Sequence, residues 1–258
     1  MLRTRGWGLA MAKTDKRRLD RLLVERGLAE SRAKAQALVM AGLVYSGTRR
    51  LDKAGQPVAP DTPLSVKGRD HPWVSRGGVK LAHALDHFGI AAEGRVCLDV
   101  GASTGGFTDV LLEGGAVRVY AVDVGHGQLA WKLRRDGRVV VLERTNARHL
   151  GPDQVPEPVD LIVCDVSFIG LETALPAPMA LARPGAELVA LIKPQFEVGK
   201  GQVGKGGIVR DPALHEGVCQ RIAAWLEKQE GWRVLGLTES PVTGADGNRE
   251  FLIAARYG

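Results

Sequence analysis

The sequence predicts a doubly wound α/β domain on a mostly parallel sheet, preceded by a small α+β module. Three observations predict it. From residue 95 onward short apolar runs alternate with helix-period stretches, the pattern of strands joined by crossover helices. The first run, Val96-Cys97-Leu98-Asp99-Val100, passes into the glycine-rich turn Gly101-Ala102-Ser103-Thr104-Gly105-Gly106-Phe107-Thr108. Such a fold presents a nucleoside-bearing ligand at that kind of turn, on the C-terminal edge of its sheet. Charge is also uneven, with 15 Lys/Arg against 7 Asp/Glu in residues 1–70 and 20 against 22 in the remainder. A basic front on a near-neutral body suits a polyanion-binding module fused to something else.

The 258 residues, 45% hydrophobic and 25% charged, fit one large domain or two unequal ones. Aromatic residues make up only 5%, so a grip on nucleic acid would rest on cations more than on stacking. Cys97, Cys164 and Cys219 stand far apart, with no C-x-x-C or paired His/Cys spacing. Neither a disulfide framework nor a zinc site is indicated, and His126 and His149 lack ligand spacing, so no metal is expected. This usage fits a reducing cytoplasm. No apolar run approaches the ~20 residues of a membrane span, and residues 1–15 lack a hydrophobic signal core. Met11 stands as an alternative start, and no internal repeat is present.

In the basic front, residues 17–28 place Leu19, Leu22 and Leu23 on one helical face and cations on the other, with Gly27 as C-cap. Ser31 reads as the N-cap of a second helix through residue 41, with Ala35, Leu38 and Val39 inward. Gly42 ends it, residues 43–47 form a strand and turn, and residues 64–67 form a second short strand. Residues 70–78 read as a linker, punctuated by Pro72, Gly77 and Gly78, with Trp73 packed between the modules.

The α/β body opens with a helix over 79–88 that carries Lys80 at its start. Strands follow at 95–100, 117–122, 139–142, 161–164 and 187–192, with helices at 106–112, 128–134, 171–181 and 213–228. The last apolar runs, 233–238 and 250–255, form a hairpin-like pair. Asp123, Asp165 and Lys193 each stand where a buried strand ends. Asp123, 24 residues after Asp99, is placed to accept hydrogen bonds from ribose hydroxyls, and Asn146 after the third strand to meet a base. The stretch 199–206 nearly spells a P-loop, but Gly206 replaces the required Ser/Thr, so it reads as a mobile flap beside the site with its lysines available to RNA phosphates, or as a plain disordered loop.

The Asp-x-Gly-x-x-x-Gly-Gly turn resembles the first motif of S-adenosylmethionine (SAM) methyltransferases. That implies cofactor contacts from Asp99, Gly101, Ser103, Gly105, Gly106, Phe107, Asp123, Asn146 and Asp165. The fourth strand narrows the acceptor. Cys164-Asp165-Val166-Ser167-Phe168 is not the Asn/Asp-Pro-Pro-aromatic turn of base amino-methylation, and no cysteine stands in the Pro-Cys context of cytosine C5 enzymes. A hydroxyl acceptor such as a ribose 2′-OH remains. It is a poor nucleophile and needs a nearby cation. A lysine ending a buried strand, as Lys193 does before Pro194, is unusual unless paired.

The order Lys80, Asp165, Lys193, Glu250 resembles the Lys-Asp-Lys-Glu tetrad of FtsJ-like ribose 2′-O-methyltransferases. The front, over residues 17–69, resembles an S4 RNA-binding domain displaying Arg17, Arg18, Arg21, Arg32, Lys34, Arg49 and Arg50. An S4 domain joined to such a domain over 79–258, with Val-Ser-Arg-Gly-Gly before Lys80, is similar to the TlyA family. The resemblance implies a Rossmann-like SAM-dependent methyltransferase domain acting on ribosomal RNA or ribosomal subunits at cytidine 2′-oxygens. Lys193 would activate the hydroxyl, and Asp165, Lys80 and Glu250 would orient and polarise it. Two other readings stay open: a membrane-active hemolysin, a label some members carry, and a non-enzymatic RNA-binding or ribosome-assembly factor.

Overall fold

The computed structural model describes residues 16–26, 28–29, 31–66, 71–199, 201–244 and 247–258. Met11, the Gly27 cap, Lys67, the first linker residue Asp70 and Lys200 of the glycine-rich stretch lie outside them. The chain divides into two compact units, Met1–Asp70 and His71–Gly258.

The first unit runs β1 (Arg17–Arg18), α1 (Leu19–Glu25), α2 (Arg32–Met40), β2 (Val44–Ser46), β3 (Arg49–Arg50), β4 (Pro57–Val58) and β5 (Ser65–Val66). Strands β3, β2 and β5 pair antiparallel in that order, and β1 pairs with β4. Leu19, Leu23, Ala35, Val39, Val44 and Leu51 form its core. The Ser31 cap holds as expected, its side chain accepting the Lys34 N–H at 3.2 Å. The first helix is shorter than the predicted 17–28. Arg17 and Arg18 are drawn into the pair with β4, and the Leu28 N–H turns back to the Leu23 carbonyl. Leu38, expected inward, is only half-buried.

The second unit runs α3 (Gly77–Phe88), β6 (Val96–Val100), α4 (Gly106–Glu113), β7 (Arg118–Asp123), α5 (Trp131–Arg134), β8 (Val139–Glu143), β9 (Val159–Cys164), α6 (Leu171–Ala174), α7 (Pro176–Met179), β10 (Ala182–Ile192), α8 (Pro194–Glu197), α9 (Pro212–Glu227), β11 (Trp232–Glu239) and β12 (Phe251–Tyr257). One seven-stranded sheet has the order β11-β12-β10-β9-β6-β7-β8. Strands β10, β9, β6, β7 and β8 are parallel, and β12 is antiparallel to both neighbours. Alternate residues feed opposite cores, as burial of both sheet faces requires. Cys97, Ala121, Leu161 and Val189 pack with Leu81, Phe107 and Leu111 on one face. Leu98, Val122, Ile162 and Leu188 pack with Leu171, Ile222 and Leu226 on the other.

Several boundaries differ from the sequence expectation. Residues 71–78 belong to the second unit, and α3 starts at Gly77. Trp73 packs inside that unit, where Gly78 leaves it room that a β-carbon would fill, and the Val74 N–H donates to Asp109 at 2.8 Å. The single helix expected over 171–181 breaks in two at Pro176, which opens α7 because proline lacks the N–H a continuing helix needs. The helix expected over 128–134 shortens to α5, β10 reaches back to Ala182, and the short helix α8 was not anticipated. The terminal pair forms as expected, with β12 inserted between β11 and β10. That insertion sets Phe251 opposite Ile192, and so delivers Glu250 to the edge where the parallel strands end.

Candidate active site

At that edge the strand ends are tied together. The Asp165 N–H donates to the Val100 carbonyl, and the Gly101 and Ala102 N–H groups both donate to Val122 O. Gly101 has φ +87°, and a β-carbon there would stand 2.6 Å from the Asp165 carbonyl oxygen, so only glycine fits. Two adjoining cavities open around this contact and share Gly101, Ser103, Asp165 and Ser167.

The larger, about 500 Å³, is a slot walled by Val100, Val122, Val124 and Ile169, with Asp123, Gln128 and Asn146 supplying polar groups. Asp123 is held rigidly, one oxygen accepting the Ser103 N–H at 2.8 Å and the other the Gly125 N–H at 2.7 Å. Asn146 caps the 3-10 turn Ala147–His149 by accepting the Arg148 N–H at 3.1 Å. Phe168, 90% exposed and at φ +67°, stands on the slot's rim with its ring 5.0 Å from that of Phe196.

The smaller cavity, about 290 Å³, is lined by Ser75, Arg76, Gly77, Lys80, Gly106, Phe107, Lys193 and Gly244 besides the shared residues. Pro194 biases Lys193 to extended backbone and starts α8, so the lysine leaves β10 toward the cavity. Its Nζ lies 2.5 Å from Asp165 Oδ1 and donates to Ser167 Oγ at 2.9 Å. Lys80 Nζ lies 2.5 Å from Glu250 Oε2, with side-chain exposures of 10% and 2%. The four residues of the expected tetrad therefore resolve into two pairs. Glu250 sits behind Lys80, and Lys193 is partnered by Asp165 and Ser167.

Of the residues expected to contact a cofactor, Gly101, Ser103, Gly106, Phe107, Asp123, Asn146 and Asp165 line one cavity or both. Asp99 and Gly105 line neither. Gly105 instead leaves space for Leu133 and Leu129. Asp99 is fully buried, and its Oδ2 accepts the Thr108 hydroxyl at 2.6 Å. Its Oδ1 has no hydrogen-bond partner among the described residues. Burial, with Asp165 and Asp123 nearby, pushes its carboxyl up to about 7.

Sequence reasoning missed Ser75, Arg76, Gly77, Ser167, Phe168 and Gly244. The first three were read as linker. The signal was the close fit of two glycine pairs, because a β-carbon on Gly106 would collide with Ser75 Oγ and the Gly78 nitrogen.

In the first unit the cations are not equivalent. Asp20 is fully buried and accepts from Arg18, Arg32 and Gln36. The Arg18 guanidinium holds its carboxyl well below the usual range. Arg17 pairs with Glu25 and Arg50 with Asp52, both at the surface, while Arg21, Lys34 and Arg49 are exposed. Among the described residues no helix is long and apolar enough to cross a membrane, and no group of three His, Cys, Asp or Glu side chains is placed to hold a metal ion.

The FtsJ-like methyltransferase family matches residues 73–257, and the S4 domain matches residues 17–63. The chain is 51% identical over 240 residues to the 16S/23S rRNA (cytidine-2′-O)-methyltransferase TlyA of Mycobacterium tuberculosis, covering 93% of this chain and 89% of the relative. It is 42% identical over 237 residues to Hemolysin A of Brachyspira hyodysenteriae, covering 91% and 98%. A solved structure from Streptococcus thermophilus, labelled a hemolysin, superposes with a TM-score of 0.73 at 44% identity over 95% of this chain and 89% of that one. A SAM-dependent methyltransferase from Listeria monocytogenes, at 14% identity and TM-score 0.52 over 71% of this chain and all (100%) of that one, shares the fold alone. With both domains matched in order and half the residues identical over nearly the whole length, the chain belongs to the TlyA family, an S4 domain joined to an FtsJ-like methyltransferase domain.

Proposed function

We propose that this chain transfers a methyl group from SAM to a ribose 2′-hydroxyl of ribosomal RNA, with cytidine as the target nucleoside. The observation that carries the reading is the meeting of Lys193 and Lys80, each with its carboxylate, in a polar chamber that opens directly from a nucleoside-sized slot.

The residues fit the cofactor. The slot has apolar walls that would take a flat base and a fixed carboxylate, Asp123, that would accept hydrogen bonds from ribose hydroxyls. Gly101 lets the turn close on the Asp165 backbone and Gly106 lets it close on Ser75 and Gly78, which shapes the walls of slot and chamber, and Asp99 stands behind the turn with an oxygen left over. When bound, SAM supplies an electrophilic methyl group on a sulfonium sulfur.

The chain's own residues do the rest. Lys193, fixed by Asp165 and Ser167, would place an ammonium where negative charge grows on the 2′ oxygen as that oxygen takes the methyl group and its proton passes to water in the open chamber. Lys80, fixed by Glu250, adds a second cation to the same chamber. Arg76, exposed at the chamber, suits a backbone phosphate. Phe168 offers an aromatic face to a base taken out of its stack. The S4 unit's arginines and Lys34 would hold folded rRNA through phosphates and shape. Such a substrate fits a cytoplasmic protein.

The test is transfer of labelled methyl from SAM to purified ribosomal subunits and to naked rRNA, with nuclease mapping of the product. Wild type should label a cytidine 2′-oxygen. Lys193→Ala should lose about 10²–10⁴ in rate while calorimetric cofactor binding stays within a few-fold. A wild type that binds SAM but labels no RNA would overturn the reading in favour of a binding or assembly factor.

A further inference from the structure

The glycine-rich stretch between α8 and α9 has no part in the chemistry above, yet its second half is folded and tied to the site. The Gly204 N–H donates to Ile208 O, and the Gly207 N–H to Gly204 O, both at 3.1 Å. The segment ends in a clamp. Asn248, buried, accepts the Val209 N–H through Oδ1 at 3.1 Å and donates from Nδ2 to Gly207 O at 3.0 Å. From α9 the buried His215 donates through Nε2 to Val209 O at 2.9 Å.

The same asparagine also touches the arm that carries Glu250. Its backbone carbonyl accepts the Gly244 N–H at 2.8 Å. Gly244 lines the catalytic chamber and packs so tightly on Glu250 that a β-carbon there would collide with Oε1. Glu250 in turn holds Lys80. An unbroken run of contacts thus leads from the 207–209 backbone, through Asn248 and Gly244, to the Glu250 carboxylate and the Lys80 ammonium.

We propose that Asn248 is a positioning residue for methyl transfer: it locks the 207–209 segment onto the Gly244–Glu250 arm and so keeps Glu250 aimed at Lys80. The proposal rests on the methyltransferase reading given above. It makes the second half of the near-P-loop a structural brace of the catalytic centre.

The experiment is a double-mutant cycle on the full-length protein, joined to hydrogen exchange. Asn248→Ala should lower kcat by about 10–100-fold, as a small misplacement of a reacting group does, and leave the KM for SAM within about twofold. In a Glu250→Gln background the same change should cost less than about a further twofold, because both act through one carboxylate. Asn248→Asp keeps the acceptor for Val209 but sets a carboxylate oxygen against Gly207 O, so it should lose at least as much as Asn248→Ala, and Asn248→Ser, whose hydroxyl can still serve one of the two partners, should fall between wild type and Asn248→Ala and covers the case in which the others do not fold. Losses that simply multiply across the cycle would overturn the proposal, as would an unchanged kcat. Should the wild type transfer no methyl to rRNA, the exchange arm decides independently. Faster exchange in Asn248→Ser both at 201–209 and at the Gly244 amide supports the link, whereas faster exchange at 201–209 alone refutes it.

Discussion

The two lysine–carboxylate pairs of the chamber are alike in chemistry and in length, 2.5 Å each, and differ in what surrounds them. Both ammonium groups line the chamber and are almost equally exposed, at 10% and 11%, but Glu250 is sealed at 2%, with Gly244 pressed on it. Asp165 borders both the slot and the chamber and is 22% exposed, and Ser167 shares the Lys193 ammonium. A sealed carboxylate is costly to separate from its partner and chemically quiet, because it cannot be re-solvated. A carboxylate that faces a cavity keeps its geometry yet can exchange a proton or a partner with whatever enters. Under the proposed function, the contrast favours Lys193 as the cation at the reacting oxygen and Lys80 as part of the frame that holds the chamber's field in place.

The sharpest way to break this comparison is to neutralise each carboxylate in turn. Glu250→Gln takes the sealed carboxylate from Lys80 and should cost about 3–5 kcal/mol of stability, whereas Asp165→Asn leaves Lys193 its bond to Ser167 and should cost about 1–2 kcal/mol. Urea unfolding of the purified variants measures both. Adding Lys80→Met to Glu250→Gln should recover most of the loss, since the stranded charge is then gone. Equal losses for the two carboxylates would mean that the pairs are not differently housed.

Asp99 supplies the control, a third carboxylate at the same strand edge that takes a threonine hydroxyl in place of a lysine. Burial holds its carboxyl up at about 7, so between about pH 4 and that value the folded protein keeps a proton that the unfolded chain has released. Its contribution to stability therefore declines as pH rises through this window and stays low above it. Asp99→Asn removes the titration. The stability of the variant relative to wild type should improve between about pH 4 and pH 8 by on the order of 2 kcal/mol, below the ceiling of about 4 that the full shift would set. Thermal unfolding across that range checks it, and a pH-independent difference would show that Asp99 ionises freely.

These contrasts also show which parts of the site could be read before the fold was known. Asp123, Asp165 and Lys193 were legible because each follows a run of buried strand residues, and such a run fixes which side chain leaves the sheet at the ligand edge. The partnership of Lys80 with Glu250 was not, because it depends on β12 entering between β10 and β11, a choice made by long-range packing. Ser75–Gly77 were hidden for a different reason. Gly and Pro around them mimic a linker, while their real constraint is the close approach of two backbones at Gly106. In the first unit the helices and the Ser31 cap were legible from local pattern, but the buried Asp20 was lost among the charges of what read as an exposed face.

Asp20 extends the comparison to the S4 unit and yields the smallest effect. There the carboxylate is sealed, but its partners Arg18 and Arg32 remain about half exposed, so one set of side chains braces the fold and faces solvent at once. Arg49 is exposed in a two-residue strand and braces nothing comparable. Each arginine that meets an rRNA phosphate contributes a similar counterion-release term, whatever else it does. Arg49→Ala and Arg32→Ala should therefore each weaken binding to an rRNA fragment by about two- to fivefold and lower the log–log salt slope by roughly 0.7–0.9. Only Arg32→Ala should also lower the melting temperature, because it alone withdraws a hydrogen bond from a buried charge. Filter binding across a salt series, beside thermal melts of the same proteins, separates the two contributions. An Arg49→Ala protein with an unchanged salt slope would place the RNA on another face of the unit, leaving Asp20 as the anchor of a purely structural cluster.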